Sequence, residues 1–174
     1  GGEAFPCADS TPTDNGFEEC SNQVLHRPRI EECEASPARP AGPNDPETTA
    51  CTGDADCTER PHGYCVYFVP FGFDCAYGCV NDSECGPGFI CQCGALHGLA
   101  GNCVEATCQS DADCGGSLLC INHGCPSGPS ARFSFACQTA EDTCMSNADC
   151  GPHGVCTPIE GKFTCQPNAC YITG

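Results

Sequence analysis

From Cys51 onward the chain repeats a seven-residue opening, C-x2-[Asp/Asn]-x-[Asp/Glu]-C, four times. The copies read CTGDADC from Cys51, CVNDSEC from Cys79, CQSDADC from Cys108 and CMSNADC from Cys144, offset by 28, 29 and 36 residues. A third Cys follows after x7, x5, x5 and x5 (Cys65, Cys91, Cys120 and Cys156), and a fourth closes each unit after a variable loop (Cys75, Cys103, Cys137 and Cys165). Gly86, Gly115 and Gly151 directly follow the second Cys in three of the four copies. Self-similarity at such a period marks a chain of small units. This predicts a tandem array over 51–78, 79–107, 108–143 and 144–174.

Composition says what must hold such units together. Phe, Leu, Ile and Val number 25 of 174 residues, whereas Cys alone numbers 22. Too few large aliphatic side chains remain for one sizeable core, so covalent bridges must replace it. The expected fold is therefore a small disulfide-rich array of stapled loop and β-hairpin units, with little helix and no large hydrophobic core. An even, dense cysteine set reads as a disulfide framework in an oxidising compartment. A zinc array would need C-x2-C pairs. None occurs, and the single C-x-C is Cys91-Gln92-Cys93. Six Lys and Arg against 23 Asp and Glu give a net charge of −17, which repels phosphate backbones and anionic lipid surfaces. That argues against nucleic acid as a partner. No apolar run approaches the ~18 residues of a membrane span, so membrane insertion is not expected. The chain has no initiator Met or h-region and reads as secreted and already processed.

Two segments precede the repeats. Residues 1–33 carry Cys7, Cys20 and Cys33 at equal spacing. Val24, Leu25 and Ile30 are the lobe's only aliphatic side chains larger than Ala, which predicts a loop-dominated lobe. Residues 34–50 lack Cys and place Pro37, Pro40, Pro43 and Pro46 at period three, the repeat of a polyproline II helix. A stiff spacer fits this better than a docking ligand, because only Arg39 supplies flanking positive charge.

The repeat openings, with their following Gly and third Cys, resemble the Cys-rich tandem repeats of secreted bacterial proteins. Those are similar in turn to the Dickkopf-type N-terminal Cys-rich repeat. The resemblance covers Cys51 to Cys170 and implies stalks and recognition modules. Locally, Cys75, Cys79, Cys85, Cys91, Cys93 and Cys103, with Phe89, Gly98 and Gly101, resemble an EGF-like module. The other repeats lack C-x-C, so that template is not general.

The recurring polar residues have two readings. Asp54, Asp82, Asp111 and Asn147 lie three residues before the second Cys, and Asp56, Glu84, Asp113 and Asp149 lie just before it. Such side chains accept hydrogen bonds from backbone N–H groups two residues on, fixing a turn or capping a helical turn. The alternative is calcium, for which Asp54, Asp56, Asp82, Glu84, Asp111, Asp113 and Asp149 are the candidate ligands, although two acids per unit is few. Four of the five His precede Gly. Pro61-His62-Gly63 and Pro152-His153-Gly154 read as β-turns in which Gly supplies positive φ. No nucleophile elbow, zinc-protease helix or free thiolate suggests catalysis, and no cofactor is expected.

The apolar maximum is Tyr64–Phe73. Within it Tyr67, Phe68, Phe71 and Phe73 are candidate interaction residues, and Phe133 and Phe135 in the insertion Ser127–Phe135 form a second candidate patch. Asn81-Asp82-Ser83 is a glycosylation sequon if the source is eukaryotic. The expected function is a secreted, non-enzymatic structural or adhesive repeat protein, a cell-surface stalk or assembly subunit that engages a protein partner or copies of itself. The alternative is a soluble recognition module such as a protease inhibitor, acting through Ser127–Ala136 or Val66–Asp74.

Cysteine parity adds one more expectation. If each repeat closes four Cys, Cys93 and Cys125 are surplus and become natural partners. One of Cys7, Cys20 or Cys33 is then left to match Cys170, either by fold-back of the N-terminal lobe or by a bond between molecules.

Overall fold

The computed structural model describes residues 7, 9–13, 16–22, 24–34, 50–68, 72–93, 101–124, 133–152 and 154–167. Its strands, in chain order, begin with β1 (Thr11–Pro12), β2 (Glu18–Glu19), β3 (Leu25–His26), β4 (Gly63–Phe68) and β5 (Gly72–Tyr77). They continue with β6 (Phe89–Gln92), β7 (Asn102–Ala106), β8 (Cys120–Gly124), β9 (Phe133–Cys137), β10 (Gly154–Ile159) and β11 (Lys162–Pro167). The protein is small and disulfide-rich, built of strands and hairpins with one short α-helix among the described residues.

Each repeat uses one plan. The opening folds into a single helical turn: Asp54–Asp56, Asp82–Glu84, Asp111–Cys114 and Asn147–Cys150. Gly86, Gly115 and Gly151 end that turn with φ of 81°, 74° and 72°, a left-handed conformation cheap only for glycine. Repeat one has Thr58 there, and it is also the copy with the longer x7 spacing. Antiparallel hairpins β4–β5, β8–β9 and β10–β11 follow, with Cys65 opposite Cys75, Cys120 opposite Cys137, and Cys156 opposite Cys165. In repeat two, β6 and β7 are neighbours.

Opposed cysteines do not bond to each other. In every repeat the first Cys bonds the third and the second bonds the fourth: 51–65 and 57–75, 79–91 and 85–103, 108–120 and 114–137, 144–156 and 150–165. Cα separations are 5.8–6.0 Å for the first kind and 5.2–5.4 Å for the second, so the four frames share one geometry. Each bridge contributes about 2–4 kcal/mol by restricting the unfolded chain.

The chain forms two compact units, Glu32–Cys103 and the pair Gly1–Glu31 with Val104–Gly174. Glu32–Cys103 holds repeats one and two. Its core is largely sulfur: Cys33, Cys79 and Cys91 are buried against Val80, Cys85, Cys93 and Cys103. The other unit holds the N-terminal lobe with repeats three and four. There β1, β2, β3, β8 and β9 form an antiparallel series, and Glu105–Ala106 of β7 pair in parallel with β9. Cys20, Val24, Ile121, Cys144, Met145, Cys156 and Phe163 form its core.

The parity argument needs two corrections. Cys33 bonds Cys93, and Cys7 bonds Cys20. The surplus of repeat two is therefore taken by the lobe cysteine that enters the same unit, where the Cys33 N–H donates to the Val80 carbonyl at 2.7 Å. Neither pairing with Cys125 nor a lobe bond to Cys170 uses these cysteines; Cys125 and Cys170 lie outside the described residues. The N-terminal lobe does fold back, through backbone bonds from Arg27 N–H to Cys120 O (3.0 Å) and Asp111 N–H to Arg27 O (2.8 Å). The six cysteines of EGF-like order do not close among themselves, since Cys75 leaves for Cys57 and Cys93 for Cys33.

The turn at Pro61-His62-Gly63 is also corrected. Positive φ falls on His62, at 56°, and not on Gly63. Gly63 is needed for space, because a Cβ there would lie 1.9 Å from the Cys57 carbonyl oxygen. Gly154 is equivalent, its Cβ falling 2.4 Å from the Cys150 oxygen, while His153 lies outside the described residues. Gly63→Ala should therefore cost about 1–3 kcal/mol or more by overpacking against backbone, whereas His62→Gly should be near neutral. Denaturant midpoints of the two oxidised variants check this: equal losses would contradict it.

Candidate functional site

The recurring acids build the frame. The first of each pair sends one oxygen to the backbone N–H of the third cysteine. Asp54 Oδ1 accepts from Cys65 (2.8 Å), Asp82 Oδ1 from Cys91 (2.8 Å), Asp111 Oδ1 from Cys120 (2.7 Å) and Asn147 Oδ1 from Cys156 (2.9 Å). This bond spans 9 or 11 residues, not the two expected from turn chemistry. It also explains why Asn147 serves in one copy, since the bond needs one acceptor oxygen and no charge. The second acid reaches back to the residue after the first cysteine: Asp56 to Thr52 N–H (2.7 Å), Glu84 to Val80 (2.8 Å), Asp113 to Gln109 (2.7 Å) and Asp149 to Met145 (2.8 Å). That is the expected capping role. The N–H and hydroxyl of Thr52 and the N–H of Gly53 hold the Asp56 carboxyl below its ordinary value.

The calcium candidates are thus placed two by two at four separate turns, each turned toward backbone N–H groups. Among the described residues, the groups of three ligand-type atoms within 4.8 Å of one another are built on disulfide cysteines, joined once by His26, and include no carboxylate. Asn81 precedes the second helical turn, and its Oδ1 accepts from Ser83 Oγ at 2.5 Å.

The histidines serve different local surroundings. His26 is buried, with Nδ1 2.8 Å from Asp111 Oδ2 and Nε2 3.7 Å from Glu18 Oε2. His62 Nε2 lies 3.3 Å from Glu84 Oε1. His123 packs edge-on to Phe163 at 5.5 Å, and burial pushes its imidazole down to about 4. His97 lies outside the described residues.

A second motif escaped the reading of the cysteine openings. Phe73, Phe135 and Phe163 each stand two residues before the fourth cysteine, and Gly101 takes that place in repeat two. The carbonyl of this residue accepts a backbone N–H from the residue just before the first cysteine in three copies, Ala50 to Phe73 (2.8 Å), Thr107 to Phe135 (2.9 Å) and Thr143 to Phe163 (2.8 Å), and in repeat two from that cysteine itself, Cys79 to Gly101 (2.8 Å). The signal, F-x-C in three of four copies, was present in the sequence.

The environments of these phenylalanines differ. Phe163 is buried in its core, and Phe135 is 1% exposed, stacked on Phe17 at 5.0 Å. Phe135 is therefore not the surface contact expected, because the N-terminal lobe supplies Phe17 against it. Phe73 is half-buried and meets Tyr67, its cross-strand partner, at 5.2 Å between rings. Tyr67 is 58% exposed. Alternation along a strand puts Tyr67 and Phe73 on the face of the hairpin that bears Cys65 and Cys75, beyond the bridges that fasten it. Arg60 lies over the Tyr77 ring at 4.6 Å in the same repeat. Of the span Val66–Asp74, residues up to Phe68 and from Gly72 are paired strand and not loop. The side chains of Phe68 and Phe133, and Phe71 with residues 125–132 of the insertion, lie outside the described residues.

Two outcomes follow. Asp82→Asn should be tolerated, as Asn147 is in repeat four, whereas Asp82→Ala should cost about 1–3 kcal/mol by orphaning the Cys91 N–H. Denaturant unfolding of both variants checks this. For His123, the fold holds the pKa at about 4 against an ordinary 6.5 and so disfavours the charged form. Stability should fall as pH drops from about 6.5 to about 4, and His123→Gln should flatten that limb in pH-dependent unfolding.

No family model, curated protein or solved structure matches this chain.

Proposed function

We propose that this chain is an extracellular, non-enzymatic repeat protein with a structural or adhesive role, whose contact surface is the outer half of hairpin β4–β5. The observation that carries the reading is the fate of one repeat position. Phe135 and Phe163 are covered, while the equivalent Phe73 is half-buried against Tyr67, a ring 58% exposed. Exposed aromatics on a rigid platform are the usual anchors of protein contacts. The recurring acids support the same reading, since they are spent on holding backbone. Ten disulfides among the described residues suit an oxidising compartment, and no helix there is long and apolar enough to cross a membrane.

Sedimentation velocity of the oxidised chain over a range of concentrations tests the assembly role. Self-association should appear with concentration and be lost in Tyr67→Ser, while Ile30→Ser, at a site 55% exposed in the other unit, should leave it unchanged. A monomer at every concentration would remove self-assembly and leave recognition of a different protein, the second reading. A panel of serine and cysteine proteases then separates an inhibitor from other recognition modules.

A further inference from the structure

We infer that Cys33, Cys91, Cys93 and Cys79 form a thiol–disulfide exchange site whose two bridges re-pair when a small external thiol or dithiol attacks. The bridge 33–93 stands outside the repeat frame, and Cys93 has no counterpart in repeats one and four. Cys33 Sγ lies 3.6 Å from Cys91 Sγ, a sulfur to which it is not bonded. That is van der Waals contact between two disulfides, and each sulfur pair shares one buried cluster. A second tie holds the Cys33 backbone besides its bridge, since its N–H donates to the Val80 carbonyl at 2.7 Å. Gly101 makes room for the Cys91 sulfur: a Cβ there would lie 2.5 Å from Cys91 Sγ.

The exposures order the chemistry. Cys33 is 8%, Cys91 1% and Cys79 0% exposed, while Cys93 is half-buried, so an external thiolate meets Cys93 first. Its attack on Cys93 Sγ forms a mixed disulfide and expels Cys33 as a thiolate with the electron pair of the broken bond. Cys33 then attacks Cys91 Sγ beside it, expelling the Cys79 thiolate. Cys79 resolves the mixed disulfide at Cys93 and returns the external thiolate. Bridges 33–93 and 79–91 become 33–91 and 79–93 with no net oxidation, the thiol acting as catalyst.

The test uses the full oxidised chain. Cys93→Ser leaves one free thiol, and iodoacetamide labelling with peptide mapping should find the label shared between Cys33 and Cys79. Label on Cys33 alone, with 79–91 intact, would overturn the proposal. In Cys33→Ser the attacking group is gone, so the label should stay on Cys93; label on Cys79 there would also overturn it. Wild-type chain given sub-stoichiometric dithiothreitol guards against misfolded variants. It should gain a 33–91 linkage before repeats one, three or four rearrange, and simple opening of 33–93 with 79–91 untouched at all times would refute the exchange.

Discussion

In three repeats a hairpin sets the third and fourth cysteines opposite each other, yet in all four those two ignore each other and reach back to the opening turn. The two bridges tie the first cysteine to one strand and the second to the other. One helical turn is thereby pinned covalently across a pair of strands. Bridges that join the turn to each strand close loops of 12–23 residues, and loops of that size remove about 3 kcal/mol of unfolded-state freedom each. A bond between opposed cysteines would staple a hairpin that its own ladder already closes. The acid side chains complete the same task with hydrogen bonds, delivering acceptors to the N–H of the third cysteine and to the start of the turn.

This dependence explains the composition. The unit Glu32–Cys103 uses Cys33, Cys79 and Cys91 where an ordinary domain would place leucines, and in the other unit Cys20, Cys144 and Cys156 share the interior with Val24, Ile121, Met145 and Phe163. Sulfur packs as a small hydrophobe and also bonds, so one residue type supplies both core and constraint. The high negative charge has the same origin in part. Seven of the eight recurring positions carry acids, and they face backbone N–H groups at the turns.

The stapled architecture and the capping acids were legible because they depend on spacing along the chain. Connectivity was not. Four cysteines allow three pairings, and identical spacing in four copies multiplies the ambiguity without reducing it. The reach of Asp82 to Cys91 was equally hidden, since local turn chemistry offers the same side chain nearer donors. At Pro61-His62-Gly63 the default assignment of positive φ to glycine failed, because the nearby Cys57 carbonyl demands the glycine for space and leaves His62 in the left-handed region. The aromatic candidates were half-resolved: Tyr67 and Phe73 were named, but whether a phenylalanine is covered depends on a distant segment such as the one bearing Phe17.

The residue two before the fourth cysteine shows how the copies diverged while keeping one frame. Its backbone carbonyl has the same duty everywhere, accepting an N–H from the head of the repeat, so its side chain is free to vary. In repeat three that side chain is Phe135 under Phe17, and in repeat four it is Phe163 inside the core. In repeat two it has shrunk to Gly101, and Cys91 sulfur occupies the space a side chain would need, beside the added sulfur of Cys33. In repeat one it is Phe73, half-buried and paired with the exposed Tyr67. A position relieved of its structural duty by its own backbone is where a repeat protein can acquire chemistry without loss of fold. Repeats one and two depart from the other copies at that position, one toward an aromatic surface and the other toward a sulfur cluster.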